Sequence, residues 1–232
     1  MENDREKQNK KVFCSYLKKD NDWCEILETK CLPFIRKKKQ KCAFADHYEW
    51  LTKLSEQSAS DSVKKSIIDG VKANWKNHLA GLDNNTGNKG LTAGPLERAI
   101  REEMSAQIGR MGVEVKHGRL PQDFQVPGLE KSPFDCYLRK GSCPTSFISV
   151  KTWFTPEAAR ETFASAYLIK YWQGQVACRF FMVALNPVDQ WNELIKSLKP
   201  SLDLEGVYSL SGEPYFDKLI EELEDIYGHQ PL

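Results

Sequence analysis

The 232-residue chain lacks a long apolar run, a Cys-x-x-Cys pair and an excess of charge of either sign. Without an apolar run of spanning length, a helical membrane protein is excluded. No apolar segment follows Met1-Glu2-Asn3-Asp4-Arg5-Glu6-Lys7, so no secretory signal is expected and the cytoplasm is the expected compartment. Lys and Arg number 33 against 32 Asp and Glu, a formal net charge of +1. A uniformly basic surface is therefore excluded, and any phosphate-binding surface must be local. The seven cysteines stand at 14, 24, 31, 42, 136, 143 and 178. An odd count in a chain of this size without a secretion signal reads as free thiols. Cys14, Cys24, Cys31 and Cys42 are spaced by ten, seven and eleven residues, which does not match the paired knuckles of structural zinc sites. There is no internal repeat and no low-complexity segment.

What is present is an ordinary globular composition, 41% hydrophobic and 28% charged. The length suits one α/β domain with an elaboration, or two small domains. Residues 1–85 read as a helical region. Trp23, Ile26 and Leu27 form one apolar set, and Tyr48, Leu51 and Leu54 another. Val63, Ile67, Ile68, Val71 and Trp75 form a third, with Ser60-Asp61 as its cap. Between the first two sets lie Arg36, Lys37, Lys38, Lys39 and Lys41. These cations suit either a phosphate backbone or a solvated face. Residues 83–90 form a polar, glycine-bearing loop that divides region 1–85 from region 90–232. It is a linker, or an element in which Asn88 reads base edges and Lys89 reaches phosphates.

A helix follows, capped by Thr92, with Pro95 in its first turn and Leu96, Ile100, Met104 and Ile108 repeating every four residues. Glu97 and Arg101 make an (i, i+4) pair on it. Residues 111–115 read as a strand. Residues 116–130 read as a loop carrying Arg119 and Phe124. Two short apolar runs, Phe134 to Leu138 and Ser146 to Val150, flank a turn at Lys140-Gly141-Ser142, which is a hairpin signal. Thr155-Pro156-Glu157 opens a helix to about Trp172. The nearly continuous apolar run ending at Leu185 reads as a central strand covered on both faces. A helix from Asp189, a strand near Val207 and a closing amphipathic helix complete the chain.

The hairpin carries the chemistry. Period-two alternation places Phe147, Ser149 and Lys151 on one face of its second strand. Asp135, at the start of the first strand, can approach Lys151 across the pair. A carboxylate is a hard ligand for Mg²⁺, and a lysine beside it can orient water or stabilise a pentavalent phosphate. Read without a joint role, the two are a surface acid and a strand-end lysine.

Pro133-Phe134-Asp135 and Ser149-Val150-Lys151 resemble the paired Pro-Asp and (Asp/Glu)-x-Lys motifs of the PD-(D/E)XK nuclease superfamily, to which most type II restriction endonucleases belong. Two departures stand out. A Phe separates Pro133 from Asp135, and Ser149 replaces the middle carboxylate. Some restriction enzymes of the superfamily also carry Ser-x-Lys and take the missing carboxylate from the following helix. Glu157 and Glu161 stand there, with Glu161 favoured because Glu157 also suits a cap at the helix start. The resemblance covers roughly residues 90–175. It implies an α/β (α+β) fold with a central mixed sheet flanked by helices in αβββαβ order. It further implies a Mg²⁺-dependent nuclease acting on double-stranded DNA, expected to be a homodimer. Asp135, Lys151, Ser149 and Glu161 are the implied catalytic residues, and Asp135, Glu161 and Glu97 the metal ligands. Glu97 also reads as an exposed salt-bridge partner of Arg101. Two other readings stay open: a repair, junction-resolving or exonuclease enzyme of the same core, and a nucleic-acid-binding protein without chemistry.

Overall fold

The computed structural model describes residues 17–18, 23–24, 28–30, 61–79, 88–117, 124, 134–141, 143, 145–172, 177–186, 188, 191–196 and 204–228. Three two-residue strands, β1 (Leu17–Lys18), β2 (Trp23–Cys24) and β3 (Thr29–Lys30), pair antiparallel in sequence order. Trp23 therefore lies in a strand, not in the expected helix. Two helices follow, α1 (Asp61–Leu79) and α2 (Asn88–Ile108). The main sheet holds five strands in the order β4 (Glu114–His117), β5 (Cys136–Arg139), β6 (Ser146–Lys151), β7 (Arg179–Ala184) and β8 (Gly206–Ser209). β4, β5 and β6 pair antiparallel, whereas β6, β7 and β8 run parallel. Helix α3 (Pro156–Tyr167) is the crossover between β6 and β7, and α4 (Phe216–Gly228) closes the described chain. From α2 to β7 the order is αβββαβ, and the fold is a mixed sheet between helices.

Each face of the sheet has its own core. Cys136, Leu138, Ile148, Val150, Phe181 and Val183 pack with residues of α1, α2 and α4. Phe147, Phe180, Met182 and Ala184 pack with Ala159, Phe163 and Ala166 of α3. β7 supplies both cores, which is why its sequence is apolar without alternation. The hairpin turns as its sequence requires. Gly141 takes φ +49°, and Cys143 N–H donates to Lys140 O at 2.9 Å.

Helix α2 departs from the expected start. It begins at Asn88, so Asn88, Lys89 and Gly90 are helical and not loop, and Pro95 lies inside it. Thr92 is not a cap. Its buried hydroxyl accepts a hydrogen bond from the Trp75 indole N–H at 3.2 Å, tying α2 to α1. Pro95 helps the same contact. A Cβ on Gly70 of α1 would meet Pro95 Cβ at 3.0 Å, so the two helices approach where one lacks a side chain and the other carries a compact ring. The expected strand at 111–115 starts later. A 3₁₀ turn at Gly109–Met111 ends on Gly112 at φ 77°, and β4 then begins at Glu114.

Candidate active site

One end of the main sheet gathers the polar side chains that the cores exclude. Three register relations bring it about. β4 runs into this end, so His117 stands opposite Cys136, the residue after Asp135. β5 leaves from this end. β6 arrives at it with Lys151, in register with Ala184 of β7. The β5–β6 ladder begins at Cys136 opposite Ile148. Asp135 N–H donates to Ile148 O at 2.9 Å. Two residues further along β6, Val150 N–H donates to Asp135 Oδ2 at 2.5 Å. The carboxylate thus takes the place of a strand carbonyl where the ladder opens.

Glu97, in the third turn of α2, completes the group. Burial chiefly, and then the Asp135 charge, push its carboxyl up to about 7, while Lys151 and Arg101 act in the opposite sense. Asp135 is also raised, first by burial. The Val150 N–H, Lys151 and His117 oppose that rise. Glu97, Asp135 and Lys151 therefore share one electrostatic environment, with His117 and Arg101 at its margin. The Asp135 charge acts against ionisation of Glu97, and a cation between the two carboxylates would relieve that repulsion.

Ser149 and Glu161 are placed differently. Ser149 is fully buried. Its hydroxyl lies 3.4 Å from that of Thr162 on α3, and Thr162 also donates to Ala158 O at 3.1 Å. The residue of α3 that faces the motif position is therefore Thr162, next to Glu161. Glu161 is exposed, and it is not among the charges acting on Glu97 or Asp135. Glu157 is exposed as well and lies 3.5 Å from Arg160. Thr155 caps α3 as its sequence requires, accepting from Ala158 N–H at 3.1 Å. Among the described residues no three His, Cys, Asp or Glu side chains are grouped to hold a metal ion. Arg36, Lys37, Lys38, Lys39, Lys41 and Arg119 lie outside the described residues. Asn88 and Lys89 are placed only as the start of α2.

Sequence reasoning missed three neighbours. His117 reaches Asp135 through strand register, which no local pattern encodes. Arg101 reads from its spacing as the helix partner of Glu97, and its charge acts on Glu97 at the site. Asn186, just past β7, accepts from Phe154 N–H at 2.6 Å and fixes the turn after Lys151. The Asn186-Pro187 break at the end of an apolar run was the available signal.

No protein-family model matches the sequence, and no curated protein matches it. Two solved structures do. One is the restriction endonuclease PspGI in complex with its substrate DNA, at 16% identity and a TM-score of 0.41, covering 87% of this chain and 81% of that one. The other is the type IIP restriction endonuclease Kpn2I, at 13% identity and a TM-score of 0.42, covering 79% of this chain and 65% of that one. Each is a restriction endonuclease that the chain is similar to in fold. Among the described residues no helix is long and apolar enough to cross a membrane.

Proposed function

We propose that this protein is a Mg²⁺-dependent endonuclease that hydrolyses phosphodiester bonds of double-stranded DNA at a specific short sequence, as the nuclease of a restriction–modification pair. The observation that supports it most is the gathering of Glu97, Asp135 and Lys151 at one sheet end. The donor set fits a divalent cation. Carboxylate oxygens are hard ligands, and both carboxyls here are held above their usual range by burial. Glu97 and Asp135 would hold the ion, with water and substrate phosphate completing its shell. A bound Mg²⁺ would polarise the phosphoryl group and acidify its water.

The chain's own residues supply the remaining work. Asp135 is fixed by Val150 N–H, so its carboxylate needs no reorganisation when substrate arrives. Lys151 places a positive charge where negative charge builds on the attacked phosphate. The carboxylate absent at position 149 is supplied from α2 by Glu97, on the opposite side of the sheet from α3. Glu161 remains a candidate only if α3 moves on binding DNA. Arg36, Lys37, Lys38, Lys39, Lys41, Asn88, Lys89 and Arg119 are the proposed DNA contacts outside the site. Two copies related by a two-fold axis would cut the two strands of a symmetric site.

Plasmid and phage DNA incubated with Mg²⁺, and again with chelator, test this reading. Discrete fragments that vanish with chelator support it. A smear would instead mark an exonuclease or nonspecific enzyme of the same fold. Bound but intact DNA would mark a binding protein without chemistry.

A further inference from the structure

The turn that leaves β6 is fastened on both sides of one exposed aromatic. Lys151 O accepts from Leu185 N–H at 2.9 Å. Phe154 is buried, its N–H donates to Asn186 Oδ1 at 2.6 Å, and its ring packs on Trp191 with centroids 6.2 Å apart. Asn186 is itself held from below. Its carbonyl accepts from Ser209 Oγ at 2.7 Å, and Ser211 Oγ donates to Leu185 O at 2.5 Å. Thr155 then caps α3. Between these anchors stands Trp153, 38% exposed. Among the described residues the other exposed large hydrophobics are Tyr167 and Tyr171, which cover each other with centroids 4.7 Å apart. Among the described residues Trp153 is the exposed large aromatic on the turn that follows Lys151.

We propose that Trp153 is a substrate-contacting residue that packs on the base or sugar of a nucleotide flanking the attacked phosphate. The inference rests on the nuclease reading above and goes beyond it. A nucleotide presents an anion and an apolar face a few ångströms apart. Lys151 and Trp153 stand two positions apart in the chain, on a braced turn, and so bring a cation and an exposed aromatic to the same end of the sheet. Bracing by Asn186 means that little backbone entropy is lost when the indole engages. The contact tolerates any base, so it contributes affinity and register, not sequence choice.

The test uses Trp153→Ala and Trp153→Phe, each in the Asp135→Asn background to prevent turnover. The probe is a labelled DNA fragment spanning a site that the parent protein cuts, in Mg²⁺ buffer. Trp153→Ala is expected to weaken binding about tenfold, and Trp153→Phe far less. Thermal melting should be close to the parent for both, since the side chain lies outside either core. If the parent protein cuts DNA and Trp153→Ala binds as tightly as its background, this inference falls and the nuclease reading stands. If Trp153→Phe loses as much as Trp153→Ala, an aromatic contact is likewise excluded. If the parent protein cuts no DNA, both fall together.

Discussion

Val150 N–H donates to Asp135 Oδ2 at 2.5 Å, so one carboxylate both closes the end of a β-ladder and interacts electrostatically with Glu97 and Lys151. The two duties can be separated by substitution. Asn at 135 keeps an acceptor for Val150 N–H, whereas Ala removes it. Asp135→Ala is expected to lose roughly 1.5–3 kcal/mol of stability, the usual range for a hydrogen bond to a charged group. Asp135→Asn should melt close to wild type. Denaturant titration of both variants reads the difference, and equal losses would mean that the contact is not stabilising.

Glu97 and Glu161 make opposite predictions for the same substitution. Glu97→Gln is expected to reduce cleavage at least about tenfold, because Glu97 shares the field of Asp135 and Lys151. Glu161→Gln should cleave near the wild-type rate, because its side chain is exposed on the far side of the sheet from α2. Initial rates on plasmid DNA decide. A larger loss at 161 than at 97 would return the missing carboxylate to α3.

The raised carboxyl of Glu97 implies a pH dependence of stability. Its ordinary value is 4.5 and the folded protein moves it up to about 7. Between those values the native state holds a proton that the unfolded chain has released, so stability falls as pH rises through the window. The contribution is fully present below about 4.5 and gone above about 7. Asp135, raised in the same direction, adds to the fall. Melting temperatures of chelator-treated protein should therefore drop from acidic to mildly alkaline buffer, and drop less in Glu97→Gln. An identical drop in both proteins would contradict the assignment. The effect is modest, since Glu97 is only half-buried and solvent screens it.

Ser149 carries a milder expectation. Its hydroxyl meets Thr162 at 3.4 Å, a long contact, and Thr162 keeps its bond to Ala158 O without it. Ser149→Ala should cost no more than about 1 kcal/mol and leave the cleavage rate within a factor of a few. A loss of cleavage as large as that of Lys151→Met would give the hydroxyl a direct role.

Much of this architecture is legible in the sequence. The hairpin is marked by apolar runs around Gly141, α3 by Thr155 and Pro156, and β7 by an apolar run that ignores alternation. Each is a local signal with a local cause. The misses lie where distant chain decides. β1, β2 and β3 are two residues each, too short to show a period. The start of α2 was hidden by Pro95, which reads as a first-turn residue but here sits against Gly70 of α1. At the site, Asp135 and Lys151 are visible as motif residues, whereas the balance between Glu97 and Glu161 depends on which helix packs near the open ladder. The approach of His117 depends on register alone.

Single-turnover cleavage by wild type, Asp135→Asn and Lys151→Met, with DNA binding measured alongside, tests the central claim most directly. The account predicts that both variants bind DNA within a few-fold of wild type and cleave it at least roughly 100-fold more slowly, the scale on which removing a charge-stabilising group acts. Cleavage by either variant near the wild-type rate, with Mg²⁺ present, would show that this end of the sheet is not the active site.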